Sequence, residues 1–233
     1  CASKKNTVYF QNSQDKIQKA QLYTSELIQE NNILNIRVSA LDMTSISPFI
    51  KDKVINNNMD QNLIEGYKVS ANGTITLPLI GDINVLGITT EKASEIIKNE
   101  LSKSIIDPIV NVSILNYKIT ILGEVNNPST IYIYDPKINI IQALGLAGDI
   151  TIYGNKKKIK LIREKNGESI SKKIDITKTD FINSEYYYLR NNDIIYVEPT
   201  FARIKNSGYI GQISNVATVF SLIMSIIILS QNN

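Results

Sequence analysis

The sequence predicts an α+β protein, built from two small mixed α/β domains and a C-terminal transmembrane α-helix. Two turn signals, Asn72–Gly73 and Asn126–Pro128, each lie between runs of alternating apolar residues and precede a helical pattern. Near the end, 20 consecutive residues from Ile210 to Leu229 carry no charge, which is about 30 Å of helix, enough to cross a bilayer. The predicted divisions are an N-terminal tether at 1–32, domains at 33–116 and 117–200, and an amphipathic membrane helix at 201–233.

Composition excludes several classes of function. The chain of 233 residues has no histidine, no tryptophan and one cysteine, so cysteine-based zinc sites and internal disulfides are not expected. The net charge of +3 comes from 25 basic and 22 acidic residues. The densest basic run is Lys156–Lys158, a short solvated turn that does not indicate a nucleic-acid partner. We expect no cofactor, no metal and no catalytic residue.

Cys1 is the single cysteine and is followed by small and basic residues, as in a mature bacterial lipoprotein. This pattern predicts that Cys1 is lipidated after removal of a signal peptide, and several acyl chains together would anchor it stably. The alternative is that the sequence begins there by chance. The polar residues that follow are interpreted as a tether.

The first domain combines strands with one helix. Ile33–Val38 alternates as a strand, and Asn72–Gly73 predicts a hairpin between strands at Tyr67–Ser70 and Thr74–Leu79. Thr89 or Thr90 can cap a helix, and Pro108 ends it before a strand at 110–114. The expected buried stripe of that helix is Ala93, Ile96, Ile97 and Leu101.

The second domain repeats this plan from about Tyr117. A hairpin is predicted around Asn126–Pro128, and Asn139 can cap a short helix that ends near Gly148. Strands are predicted at Lys158–Arg163 and Ile170–Ile176, and the last strand covers Asp193 to Val197.

The uncharged C-terminal segment has two faces when it is drawn as a helix. Small and polar residues recur every three or four positions, so they share a face. This stripe favours a ring of helices with a wet lumen, although close helix packing or a plain single-pass anchor gives the same pattern. The pore-facing candidates are Gly211, Ser214, Thr218, Ser221 and Ser225, and the lipid-facing candidates are Ile213, Val216, Phe220, Ile223 and Ile227.

Four motifs, in order, resemble the polysaccharide biosynthesis and export family. Residues 67–83 are similar to its pattern V-x-x-x-G-x-I-x-L-P-L-x-G-x-I, and residues 85–93 to V-x-G-L-T-x-x-E-A. Asp107–Val112 resembles P-x-V-x-V, and residues 121–128 resemble V-x-G-E-V-x-x-P-G, which opens the family's soluble-ligand-binding β-grasp (SLBB) domain. Ser129 departs from the last glycine of that pattern, and residues 30–34 depart from the usual P-G-D-V-L.

The resemblance implies an export domain at 33–116, an SLBB β-grasp-like domain at 117–200 and the absence of enzymatic activity. It further implies a homo-oligomeric ring, often eight-fold in this family, that exports capsular polysaccharide or exopolysaccharide through the outer membrane. The body would lie in the periplasm above an inner-membrane polysaccharide copolymerase. The alternatives are a lipid-anchored carbohydrate-binding or envelope-scaffold protein without a pore, and a bitopic inner-membrane component.

Individual residues carry little chemistry by themselves. Gly123–Val125 and Pro128 are interpreted as turn residues. Tyr186–Tyr188 are interpreted as a strand with rings alternately buried and exposed, and the alternative is that these rings stack on a carbohydrate. Asp60, Glu65 and Asp82 are available as carboxylates, but nothing in their spacing predicts glycoside cleavage.

Overall fold

The computed structural model describes residues 8–11, 22–42, 49, 66–165, 167–201, 203 and 221. These residues form an α+β protein with two separate hydrophobic cores. In chain order the elements are β1 (Ile33–Ser39), β2 (Tyr67–Lys68), β3 (Thr74–Leu77), β4 (Gly81–Asn84), α1 (Thr90–Leu101), β5 (Ile109–Ile114), β6 (Lys118–Gly123), β7 (Ser129–Tyr132), α2 (Ile140–Leu146), β8 (Gly154–Lys165), β9 (Glu168–Ile174), a 3-10 helix (Asp180–Asn183) and β10 (Ile194–Pro199).

The first unit is built around β1. This strand pairs antiparallel with β2 on one side and with β5 on the other, while β3 and β4 form a separate two-stranded ribbon. Helix α1 is tied to the sheet where the Val112 N–H donates to the Ser94 hydroxyl at 3.1 Å. Leu34, Ile97 and Leu101 are completely buried between these elements, so the core is aliphatic.

The predicted hairpin around Asn72–Gly73 differs from the observed pairing. The chain turns there, with Gly73 at a φ of +78° and its N–H donating to the Ser70 carbonyl at 2.9 Å. However, β3 pairs with β4 across the turn at 78–80, and β2 pairs with β1. This arrangement places Ile75, Leu77 and Ile83 in the core together, and that burial decides the register.

The second unit is a five-stranded mixed sheet with the strand order β7-β6-β10-β8-β9. The last strand, β10, runs parallel to β6 and antiparallel to β8, and the outer pairs are antiparallel hairpins. Helix α2 contributes Ile140, Ala143 and Leu144 to the core. The sheet's inward side chains, such as Ile121 and Ile195, are fully buried.

Both helices begin where the sequence predicts. Thr89 caps α1 by accepting from the Lys92 N–H at 3.3 Å. Asn139 and Gln142 form a reciprocal capping box on α2, with both bonds at 2.9 Å. Each cap satisfies N–H groups that a helix start leaves unpaired.

The predicted fold class is wrong in its last element. Within the described residues no helix is long and apolar enough to cross a membrane, which contradicts the predicted C-terminal transmembrane helix. The longer described helix, α1, has 12 residues, which is about 18 Å against the roughly 30 Å of a hydrocarbon core. A membrane-spanning helix requires a long run of uncharged residues, but such a run does not by itself specify a helix. Apart from Ser221, that run lies outside the described residues.

Candidate functional site

A groove of about 290 Å³ lies between the two units, and we call it the interunit groove. It receives residues from four places in the chain: the segment before β1, the start of α1, the end of β5, and the loop after β7. Its volume is at the small end of the range for ligand pockets. Its polar and aromatic lining consists of Tyr23, Ser25, Glu26, Thr90, Glu91, Ser113, Tyr117, Tyr134, Asp135 and Lys137.

Residues 22–32, the bridging segment, form one wall and attach first to the first unit. The Ile28 N–H donates to the Ile88 carbonyl at 2.8 Å, and the Gly87 N–H donates back to the Ile28 carbonyl at 2.9 Å. Ile28 is only 1% exposed. Ile28 therefore holds the bridging segment to the aliphatic core of the first unit.

The same segment also contacts the second unit. Glu26 accepts the Asn191 N–H with both carboxylate oxygens, at 3.2 and 3.1 Å. The Tyr23 ring packs edge-on against Tyr188, with the ring centroids 5.3 Å apart. The bridging segment thus connects the two units through one charged contact and one aromatic contact.

Glu26 is held in an environment that disfavours its charge. Burial is the main effect that raises the pKa of this carboxyl, and the nearby Asp193 raises it further. The Asn191 N–H and the positive charges of Arg190 and Arg163 act in the opposite direction. Proton uptake by Glu26 is therefore easier than in water.

The loop that Glu26 contacts is fixed by a buried ion pair. Arg163 donates to both oxygens of Asp193, at 2.9 and 2.6 Å, and also to the Tyr188 carbonyl at 3.1 Å. Asp193 further accepts the Arg190 N–H at 2.8 Å. The side chains of Arg163 and Asp193 are 5% and 1% exposed, and a buried pair is stable only when its hydrogen-bonding groups are satisfied in this way. The ion pair positions the loop at 188–193.

Tyrosines line the floor and the rim of the groove. Tyr117 is 1% exposed, and its hydroxyl donates to the Leu189 carbonyl at 2.8 Å. Burial raises the pKa of the Tyr117 hydroxyl, so it stays protonated. At the rim Tyr134 is 81% exposed, with its ring in solvent.

Two acidic residues, Glu91 and Asp135, line the rim of the groove. A hydrogen bond with Thr89 is the largest effect that lowers the pKa of Glu91, and backbone N–H groups at the start of α1 add to it. Asp135 lies beside Tyr134 in the loop after β7. Carboxylates accept hydrogen bonds from sugar hydroxyls, and tyrosine rings pack on the C–H faces of sugar rings. The interunit groove can therefore contact an uncharged saccharide.

Metal chemistry finds no support in the described part of the chain, which contains no group of three or more carboxylate, cysteine or histidine ligands. Asp60 and Glu65 lie outside the described residues. Asp82 accepts from the Thr76 hydroxyl at 2.5 Å on the exposed β3–β4 ribbon. These three carboxylates are not brought together in the described structure.

The site residues predicted from the sequence lie almost entirely outside the described residues. Cys1, Gly211, Ser214, Thr218, Ser225, Ile213, Val216, Phe220, Ile223 and Ile227 all do so. Ser221 is described, and it is helical and exposed. Their assignment stays a prediction.

Two other interpretations of the sequence can be compared with the structure. Glu124 accepts from the Thr151 hydroxyl at 2.9 Å and from Arg203 at 3.2 Å, so it holds loops of its own chain together. Residues 186–188 do not form a strand. Tyr187 packs between Phe181 and Tyr188. Tyr186 is half-buried against the core, with the Arg163 guanidinium 5.5 Å from its ring centroid.

The interunit groove was missed by the sequence analysis, although one signal pointed to it. Ile159, Leu161 and Arg163 alternate along β8, and all three face the core. A charged residue at a core-facing strand position needs a buried partner. That partner, Asp193, is 30 residues away in sequence, so the pattern alone does not identify it.

A comparison with known proteins relates the first unit to a protein family. Residues 21–115, which run from the bridging segment through the first unit, match the family model described as polysaccharide biosynthesis/export protein. This part of the chain is therefore similar to the polysaccharide biosynthesis/export family, as the motifs predict.

The particular relatives extend the match into the second unit. The chain is 31% identical over 139 residues to the EPS I polysaccharide export outer membrane protein EpsA of Ralstonia nicotianae, which covers 58% of this chain and 36% of that protein. The protein of the same name from Ralstonia solanacearum is 31% identical over 140 residues, with 58% and 37% covered. The chain spans little more than a third of the length of these curated relatives.

Proposed function

We propose that this chain is a non-enzymatic subunit of an assembly that exports capsular polysaccharide or exopolysaccharide across the outer membrane. The observation that carries the proposal is the match of residues 21–115 to the export family. It is supported by two relatives whose names describe polysaccharide export outer membrane proteins. A transport role needs a shaped surface rather than catalytic groups.

In this proposal the subunits form a homo-oligomeric ring at the outer membrane. Cys1 carries the lipid anchor, the two units lie in the periplasm, and an inner-membrane polysaccharide copolymerase is the partner beneath the ring. The second unit serves as an SLBB β-grasp domain. Its support is the strand order β7-β6-β10-β8-β9. The unit's first strand in the chain, β6, lies parallel and next to its last strand, β10, and α2 follows the second strand, β7.

A second candidate function is a lipid-anchored periplasmic carbohydrate-binding protein that forms no pore. The interunit groove favours it, because Tyr134, Glu91 and Asp135 present an aromatic ring and two carboxylates at a concave surface. Such a protein would bind saccharide as a monomer. The two candidates therefore differ in oligomeric state and in their effect on export.

The test is complementation together with mass measurement. In a strain that lacks the gene, the full-length chain should restore polysaccharide at the cell surface, measured with a polymer-specific antibody or stain. The lipidated protein purified in detergent should have the mass of a closed ring by mass photometry. A monomeric protein that leaves surface polymer unchanged when deleted would sink the export proposal and favour the groove-binding alternative.

A further inference from the structure

The sheet of the second unit has an outward face that no contact described above uses. Paired residues on neighbouring strands share a face of a sheet. Ile195 and Val197 of β10 face the core, so Tyr196 points outward, between Leu122 of β6 and Lys160 of β8. Leu122 is 43% exposed. The centre of this face is therefore partly aromatic and partly apolar.

Lysines surround that centre. Lys160 pairs with Tyr196 on one side and with Lys173 of β9 on the other, and Lys158 lies two residues before it. Both Lys158 and Lys173 are exposed. We call Lys158, Lys160, Lys173 and Tyr196 the outward lysine face.

One carboxylate offsets part of this charge. Glu198 forms an ion pair with Lys160 at 2.9 Å. That hydrogen bond is the largest effect that lowers the pKa of Glu198, and the positive charges of Lys158 and Lys173 contribute as well. Three ammonium groups thus surround a single carboxylate, and the local charge is positive.

Without a ligand, this arrangement of lysines destabilises the folded state. Like charges directly opposite on neighbouring strands are destabilising, and Lys160 is paired in register with Lys173. An anionic ligand that places its charges between the two strands would remove the repulsion. The Lys160 ammonium also lies 5.9 Å from the centroid of the Tyr196 ring, so charge recognition and a packing surface for a sugar ring are adjacent.

We propose that the outward lysine face binds a segment of acidic polysaccharide. Carboxylate groups of the polymer pair with Lys158 and Lys173, and one sugar ring packs on Tyr196. The proposal rests on the proposed export function, because it names the charge class of the polymer. The interunit groove is unsuited to the same ligand, since Glu26, Glu91 and Asp135 would repel it.

Binding is tested with the full-length protein, using oligogalacturonate as the acidic probe and maltohexaose as the neutral one. Calorimetry should detect binding of oligogalacturonate and no binding of maltohexaose. The binding of oligogalacturonate should weaken strongly between about 50 and about 500 mM salt, because salt screens exposed charges. The double variant Lys158→Gln/Lys173→Gln should bind about tenfold more weakly. Equal binding of both probes, no binding of oligogalacturonate, or an unchanged affinity in the double variant would overturn the proposal.

The matched control is Lys92→Gln/Lys103→Gln, which removes the same charge from exposed lysines near α1. It should retain the affinity of the unmodified protein. A third variant, Tyr196→Leu, keeps the charges and should lose the sugar-packing part, so its affinity should fall while its salt dependence stays. Urea midpoints close to that of the unmodified protein would establish that all three variants fold.

Complementation separates this inference from the proposed function. If the unmodified chain restores export and the lysine double variant binds and exports equally well, the inference fails while the function stands. If the unmodified chain does not restore export but binds oligogalacturonate through Lys158 and Lys173, the function fails while the inference stands.

Discussion

The two units are stabilised differently. The core of the first unit is aliphatic, and its described ion pairs lie on the exposed surface near α1. The second unit buries a complete ion pair between Arg163 and Asp193, beside the Tyr117 hydroxyl. Apolar contacts stabilise a core without fixing directions, whereas hydrogen-bonded charges fix the position of the loops that they join.

The second unit also receives contacts from the N-terminal region. Within residues 8–11, Phe10 stacks on Phe181 with ring centroids 6.1 Å apart, and the Gln11 N–H donates to the Thr177 carbonyl at 2.7 Å. Glu26 then contacts the loop that the buried ion pair holds. The comparison teaches that the polar network of the second unit fixes the loop that Glu26 contacts, while the aliphatic core of the first unit holds Ile28 of the same segment.

The largest expected effect is on the buried ion pair. Asp193→Ala leaves the Arg163 guanidinium buried without its partner, and we expect a loss of about 3–5 kcal/mol in the free energy of unfolding. Urea denaturation followed by circular dichroism measures it. Lys92→Ala, which breaks an exposed pair in the first unit, should cost less than about 1 kcal/mol. Equal losses in the two variants would contradict the contrast between the units.

The second comparison uses two glycines with positive φ. Gly123 has a φ of +90°, and an added Cβ would lie 2.2 Å from the Val197 carbonyl oxygen. Gly81 in the first unit has a φ of +73° with nothing within 4 Å of that position. Gly123→Ala should therefore cost about 2–3 kcal/mol or more, and Gly81→Ala about 1 kcal/mol. Thermal unfolding of the two variants checks the order, and a reversed order would show that the β6–β10 contact is loose.

Helix capping offers a smaller test. Asn139 takes part in a two-bond capping box, whereas Thr89 accepts a single longer bond at 3.3 Å. We expect Asn139→Ala to cost about 1 kcal/mol and Thr89→Ala about 0.5 kcal/mol. Urea midpoints of the two variants provide the measurement. The corresponding serine variants, which keep a capping oxygen, should recover most of each loss.

The smallest effect concerns pH. The folded protein raises the pKa of Glu26 above its usual 4.5, so the folded state binds this proton more tightly than the unfolded state does. The stabilisation is complete below that value and is lost as the pH rises through the folded pKa. Glu26→Gln keeps an acceptor for Asn191 without a charge, so its stability relative to the unmodified protein should rise over the pH range that begins at the usual 4.5 and extends through the folded pKa. A constant difference between the two free energies of unfolding across that range would mean that the ionisation of Glu26 is not coupled to folding.

Local sequence signals predicted most of the elements. Asn139 identified the start of α2 and Thr89 that of α1, because caps depend on neighbouring residues. The pairing of the strands was harder to predict from the sequence. The strong Asn72–Gly73 signal predicted a hairpin between β2 and β3, but the burial of Ile75 and Ile83 joined β3 to β4 instead.

By itself the sequence determined the α+β class, the helix starts, the core-facing positions and, through its motifs, the resemblance to the export family. These properties follow from patterns a few residues long, which act before the chain has folded. The tertiary structure alone decided the parallel pairing of β10 with β6, the Arg163–Asp193 ion pair and the interunit groove. Each of them joins residues far apart in the chain, where burial and hydrogen-bond satisfaction over the whole molecule select the partner.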